Sequence, residues 1–312
     1  SFMHDYHEHN LEEFDDNTLY LPYATSLRMG DIGYQNSQED EKGVKANYNS
    51  LCHYIYSLRA AMKTSCEDFE KIGLKKNGEY QQLNTNILQI ANEYYSSVRP
   101  KPILYGNDRP LRALNNKGIG YIEIRSLDIN PMLEVGIDKE QIEFLEAFLL
   151  FCLLEDSPAI PSSELVEIDS NALLVAHQGR QPNLILEHIG EKVTLANWGE
   201  SLFKKIKQCS RLLSDAHQES VESISIRIKN PDLTPSAIML NEMKYQEKGF
   251  FEFTDQYSHK YKIQSQMKAF DKDYFLRLDE HSIRSIKEQL EVESKDDINF
   301  DQFLEKYFED DA

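Results

Sequence analysis

No run of about 18 consecutive apolar residues occurs in the 312-residue sequence, so no membrane-spanning helix is written into it. The most apolar stretch, residues 144–154, is interrupted by Glu146 and predicts a buried helix instead. The opening Ser1-Phe2-Met3-His4-Asp5 lacks both the basic and the apolar region of a secretory signal. Ser1 is not an initiator methionine, which gives the expectation that the chain is a C-terminal portion of something longer. Cysteine is scarce. Cys52, Cys66, Cys152 and Cys209 lie far apart with no C-x-x-C pair, which disfavours a disulfide framework or a zinc site. Reduced thiols in a cytoplasmic protein are expected, each acting as a small buried hydrophobe. Basic residues are outnumbered: 34 Lys and Arg against 53 Asp and Glu give a net charge of −19, a field that repels nucleic acid and anionic membranes alike. Several motifs are missing as well. There is no G-x-x-x-x-G-K-[ST], no H-E-x-x-H and no G-x-S-x-G, and Gly118-x-Gly120 alone is too short to mark a phosphate loop.

What is present fits a folded protein of one large domain or two smaller ones. Aromatics reach 11%, with 17 Tyr and 15 Phe, too many for a disordered chain. Residues 1–18 read as a polar lead-in. Their His4, His7 and His9 could bind a soft divalent metal, but they show no helix or strand period. Residues 19–29 predict a strand with an edge-type irregularity at Pro22, followed by a turn at 30–34 and a polar loop at 35–43. A helix is expected over 44–63, a strand over 86–98 and a basic loop over 106–118. Helices follow at 138–155, 198–217, 236–247, 280–291 and 300–308. In the first of these, Ile142, Leu145, Phe148, Leu149, Cys152 and Leu153 form the apolar side, with Asp138 as the N-cap. The expected class is α+β, with a sheet-containing portion over 19–135 and a mainly helical portion over 136–312.

The stretch 118–131 organises the site. Ile122 and Ile124 alternate with Glu123 and Arg125, so a strand would turn the isoleucines into a core and the charges to the opposite face. A carboxylate beside a guanidinium on a stiff strand suits phosphoryl transfer, the first holding a divalent cation and the second neutralising the moving phosphoryl group. The bland alternative is a surface ion pair, common and worth little. Arg28 with Tyr34, and Glu93 with Tyr95 and Arg99, are further candidates at strand ends. An Arg fork plus a Tyr hydroxyl would bind an amino-acid carboxylate, while a surface ion pair or a core aromatic would explain the same residues without function.

These residues also carry a family resemblance. Tyr20-Leu21-Pro22-Tyr23-Ala24-Thr25-Ser26-Leu27-Arg28-Met29-Gly30-Asp31-Ile32-Gly33-Tyr34 resembles a signature of the proteobacterial glutamate–cysteine ligases. So do Leu88-Gln89-Ile90, Asn92-Glu93, Tyr95, Arg99-Pro100-Lys101 and, most of all, Tyr121-Ile122-Glu123-Ile124-Arg125-Ser126-Leu127-Asp128-Ile129-Asn130-Pro131. Echoes at Ser162-Ser163-Glu164-Leu165, Gly179-Arg180 and Asn230-Pro231-Asp232-Leu233-Thr234 extend it over residues 20–240. The resemblance implies a curved antiparallel sheet of glutamine-synthetase type and ATP-dependent joining of the L-glutamate γ-carboxyl to the L-cysteine amine. It implies ATP and Mg²⁺, with Glu123 matching a metal ligand and Arg125 a catalytic arginine near the transferring phosphoryl group. Arg28, Tyr34 and Tyr95 match residues around the cysteine substrate. It further implies metal ligands in a region that would precede Ser1, and Ala91 stands where the pattern implies a glutamate. Two alternatives stay open: a non-catalytic half needing a separate partner, and a carboxylate–amine ligase with another amino-acid acceptor.

Overall fold

The computed structural model describes residues 10–33, 45–106, 108–269 and 271–309. The chain divides into two compact units, one of residues 1–35 and 126–261, the other of 36–125 and 262–312. His4, His7, His9, Tyr34 and the polar loop at 35–43 lie outside the described residues.

The first unit opens with a hairpin where a lead-in loop was expected. β1 (Glu12–Asp15) pairs antiparallel with β2 (Thr18–Tyr20), and Phe14 meets Tyr20 edge-on at 5.9 Å. The run of acids hid this short alternation. The expected strand 19–29 ends at Tyr20, and Leu27–Met29 is a 3₁₀ turn. The intervening backbone spends its polar groups elsewhere. The Thr25 amide donates to the Ala176 carbonyl at 2.9 Å, and Arg180 donates from Nε to Ala24 and from Nη2 to Pro22.

In the second unit α1 (Leu51–Lys63) starts at Ser50, whose hydroxyl accepts the His53 amide, and it buries Tyr54, Ile55, Leu58 and Ala61. A short α2 (Glu67–Ile72) leads to the ribbon β3 (Lys75–Lys76) and β4 (Glu79–Tyr80), closed by Asn77 and Gly78 at φ 53° and 89°. Residues 86–98 do not form the expected strand. Ile87 and Leu88 donate to the Thr64 and Ala61 carbonyls, and the Glu93 carboxylate folds back onto the Gln89 amide at 2.7 Å. The strand there is β5 (Val98–Lys101). The basic loop is instead α3 (Pro110–Lys117), begun by Pro110 in its first turn and ended at Gly118, φ 78°. It buries Leu111, Ala113 and Leu114, the first and last of them against the α1 core. β6 (Tyr121–Ile124) then pairs antiparallel with β5.

Returning to the first unit, α4 (Lys139–Leu154) is capped by Asp138, which accepts the Gln141 amide at 2.8 Å. Its buried line runs through Phe144, Ala147, Phe148 and Phe151, whereas Ile142, Cys152 and Leu153 are exposed. Both lines have helical spacing. The phenylalanine line meets Leu202, Phe203, Ile206 and Val221 and so removes more apolar area from water. α5 (Ser162–Gln178) and the ribbon β7 (Ile185–His188) and β8 (Glu191–Thr194) carry no strong periodicity and were not foreseen. The single helix expected over 198–217 is two, α6 (Leu195–Ser210) and α7 (Asp215–Lys229). α8 (Pro235–Gln246) begins on Thr234 as foreseen, and α9 (Phe250–Met267) begins where the buried Thr18 hydroxyl accepts the Phe250 amide.

The second unit closes with α10 (Lys272–Glu293) and α11 (Phe300–Glu309). α11 is held by Asp301, which accepts from Lys75 Nζ at 2.6 Å and from the Tyr80 hydroxyl, and by the Arg109 guanidinium stacked 3.3 Å from the Tyr307 ring centroid. The α+β antiparallel class holds, with the strands of the described residues arranged as four two-stranded ribbons. Among those residues no helix is long and apolar enough to cross a membrane. All four cysteines are free thiols, and Cys66 alone is fully buried.

Candidate functional site

The β5–β6 register decides which side chains share a face. Arg99 lies opposite Glu123 and Lys101 opposite Tyr121, so Arg99, Lys101, Tyr121, Glu123 and Arg125 project to one side. Burial does not divide the two sides cleanly: Arg99 is 5% exposed, but Tyr121 on the same side is 52% exposed and Ile122 on the other side 53%. The expectation that Ile122 enters a core is not met, whereas Ile124 is half-buried, as Glu123 is. Arg99 is the buried member of its side because its guanidinium donates to the Ala91 and Asn92 carbonyls (3.3 and 3.4 Å).

Glu123 sits between two cations. Its Oε1 accepts from Arg125 Nη2 at 3.2 Å. Its Oε2 is 3.1 Å from Arg125 Nε and 3.3 Å from Lys101 Nζ. Arg125 first, then Lys101, holds the Glu123 carboxyl below the usual carboxylate range, against the opposing effect of burial. Oε2 is itself buried, and neither cation is aligned to give it a directed hydrogen bond. A buried carboxylate oxygen with charge compensation but an unused lone pair fits a hard divalent cation. Magnesium is commonly held by only one or two protein carboxylates, with water and phosphate oxygens completing its shell. Among the described residues no cluster of three or more His, Cys, Asp or Glu could hold a metal, so Glu123 offers one ligand and no complete cage.

Tyr95 joins this group, its ring centroid 5.9 Å from the Arg125 guanidinium carbon. The adjacent Tyr94 is the core aromatic, 3% exposed, its hydroxyl accepting the Ala46 amide. Glu93 is a local capping carboxylate of the 3₁₀ turn Ala91–Glu93. In the first unit Arg28 donates from Nε to Asp128 at 2.5 Å, both side chains remaining partly exposed. Lys101 is the residue that reading along the sequence did not single out as a site member. It is a diagonal cross-strand neighbour of Glu123, a relation that exists only once the register is known.

The glutamate–cysteine ligase family model matches residues 1–175. The chain is 42% identical over 302 residues to the glutamate–cysteine ligase of Pseudomonas paraeruginosa, covering 95% of this chain and 57% of that protein. It is 38% identical over 301 residues to the one from Shewanella pealeana, again covering 95% and 57%. A 2.0 Å crystal structure of Francisella tularensis glutamate–cysteine ligase in complex with AMP superposes with a TM-score of 0.86 at 28% identity, covering 96% of this chain and 61% of that one. The chain thus spans a little over half the length of the curated relatives it matches. With a family model over more than half of the chain, relatives about 40% identical over nearly all of it and a shared fold, the chain belongs to the glutamate–cysteine ligase family.

Proposed function

We propose that this chain carries the phosphoryl-transfer part of an ATP-dependent ligation of the L-glutamate γ-carboxyl to the L-cysteine amine, the first step of glutathione synthesis. The observation that carries this reading is the half-buried Glu123 carboxylate, compensated by Arg125 and Lys101 yet with one buried oxygen lacking a directed hydrogen bond. A carboxylate does not acylate an amine unaided, because its leaving group is poor. In the proposed reaction a γ-carboxylate oxygen attacks the terminal phosphorus of ATP and ADP leaves. The cysteine amine then attacks the acyl carbon of the γ-glutamyl phosphate, losing a proton as inorganic phosphate departs. Glu123 would hold magnesium, which when bound offsets phosphate charge and aligns the transferring group. Arg125 presents fixed N–H donors to the phosphoryl oxygens, and Lys101 adds a second positive charge on the same strand face. Tyr95 beside Arg125 is assigned to the cysteine substrate, as are Arg28 and Tyr34. The AMP bound to the Francisella relative supports a nucleotide site in this family.

The test uses a protein of full family length containing these residues, with ADP release followed against Mg²⁺, L-glutamate and L-cysteine. Arg125→Lys is expected to lower kcat by about 100-fold or more with little change in KM for either amino acid. Glu123→Gln is expected to raise the Mg²⁺ requirement. Turnover close to wild type in both variants would overturn the assignment, and an amine other than cysteine outcompeting it would change the acceptor.

A further inference from the structure

The second unit contains a cavity of about 360 Å³ lined by Arg59, Met62, Lys63, Asn84, Asn86, Leu111 and Phe308, none of them a member of the Glu123 group. We propose that it is a second small-molecule site, for an organic anion with a flat or apolar body. Its volume falls in the range of small-ligand sites, about 300–1,000 Å³.

The charge placement points to the ligand's sign. Arg59 and Lys63 are four residues apart on α1, so they share one helix face and repel each other. Among the described residues the ion pairs include neither Arg59 nor Lys63, in a chain with 53 acidic residues to choose from. Two adjacent cations lining one cavity and outside any ion pair suit an anion from solution. A guanidinium is suited to grip a carboxylate or phosphate through two parallel hydrogen bonds.

The walls point to the ligand's body. Asn84 donates to the Gln89 carbonyl and accepts the Asn86 amide, while Asn86 donates to the Met62 carbonyl. The two amides are therefore committed to shaping the cavity, and polar recognition falls to the cations. Met62, Leu111 and the Phe308 ring supply apolar surface against which a planar or aliphatic group packs. Phe308 is brought there by α11, which the Asp301 contacts and the Arg109–Tyr307 stack hold in place.

Calorimetric titration of the 312-residue chain with phenyl phosphate and, separately, with 1-naphthoate tests the site, since one offers a phosphate and the other a carboxylate on a flat body. Saturable binding of either probe at one per chain is expected, weakened about tenfold or more in Arg59→Gln/Lys63→Gln and by raised salt. The same affinity is expected to survive Arg125→Gln, which separates this cavity from the proposed catalytic site. An unchanged circular dichroism spectrum of the double variant shows that folding is intact. The proposal is overturned if neither probe saturates, if the double variant binds as wild type does, or if binding is lost only in Arg125→Gln.

Discussion

Replacing Glu123 by glutamine keeps the side chain's shape and removes its charge, so it isolates what the carboxylate does for the fold. The carboxylate is 33% exposed, Arg125 33% and Lys101 21%. An exposed ion pair contributes up to about 1 kcal/mol, and breaking a fully buried one costs about 3–5 kcal/mol. This group lies between those limits, and discounting for its exposure leaves a loss on the order of 1–2 kcal/mol at neutral pH. The pH dependence follows from the depressed Glu123 pKa. The stabilisation is fully present above the unfolded carboxylate value of about 4.3 and disappears as pH falls through the lower folded value. Amide hydrogen exchange at Leu58 and Leu114, in the core of the same unit, measures the effect locally. Exchange is expected to be faster in the variant at pH 7, and the difference is expected to shrink once acid has protonated the wild-type carboxylate. Equal protection at pH 7, or a difference that persists undiminished in acid, would refute the argument that the Arg125–Glu123–Lys101 group stabilises this unit.

Three further outcomes are expected. Arg99→Met removes a buried guanidinium that holds the Ala91 and Asn92 carbonyls, and it should destabilise the second unit by about 1–3 kcal/mol, read as a lower urea midpoint; an unchanged midpoint would show that those long hydrogen bonds contribute nothing. Asp138→Ala removes the cap of α4 and should cost about 1 kcal/mol of stability in the first unit by the same measurement. Asp301→Asn weakens the hold on α11, so limited proteolysis between α10 and α11 should accelerate. Lys75 and then Tyr80 keep the Asp301 carboxyl below its ordinary range, so wild type should show the same loosening as pH falls through that lowered value. Protease resistance that ignores both the substitution and acid would count against the contact.

Much of the helical framework was legible because it rests on short-range signals. Asp138 before α4 and Thr234-Pro235 before α8 mark helix starts through bonds made within one turn. Other elements were misread where a local pattern had a competing partner. Residues 86–98 alternate like a strand, but the Glu93 carboxylate and the Thr64 and Ala61 carbonyls claimed the amides first. On α4 two apolar lines satisfied the same spacing, and the aromatic one was buried because α6 and α7 supplied facing side chains.

The site divides in the same way. The sequence by itself placed Glu123 and Arg125 on one face, because side chains two apart on a strand must point the same way. It also carried the motifs that mark the family. That Lys101 belongs to it, and that Arg99 is its buried member, were decided only by the pairing of β5 with β6 and the carbonyls Arg99 reaches. Periodicity distinguishes two faces but assigns neither to the interior. That choice is made by the partner strand and by the carbonyls that a buried cation can reach.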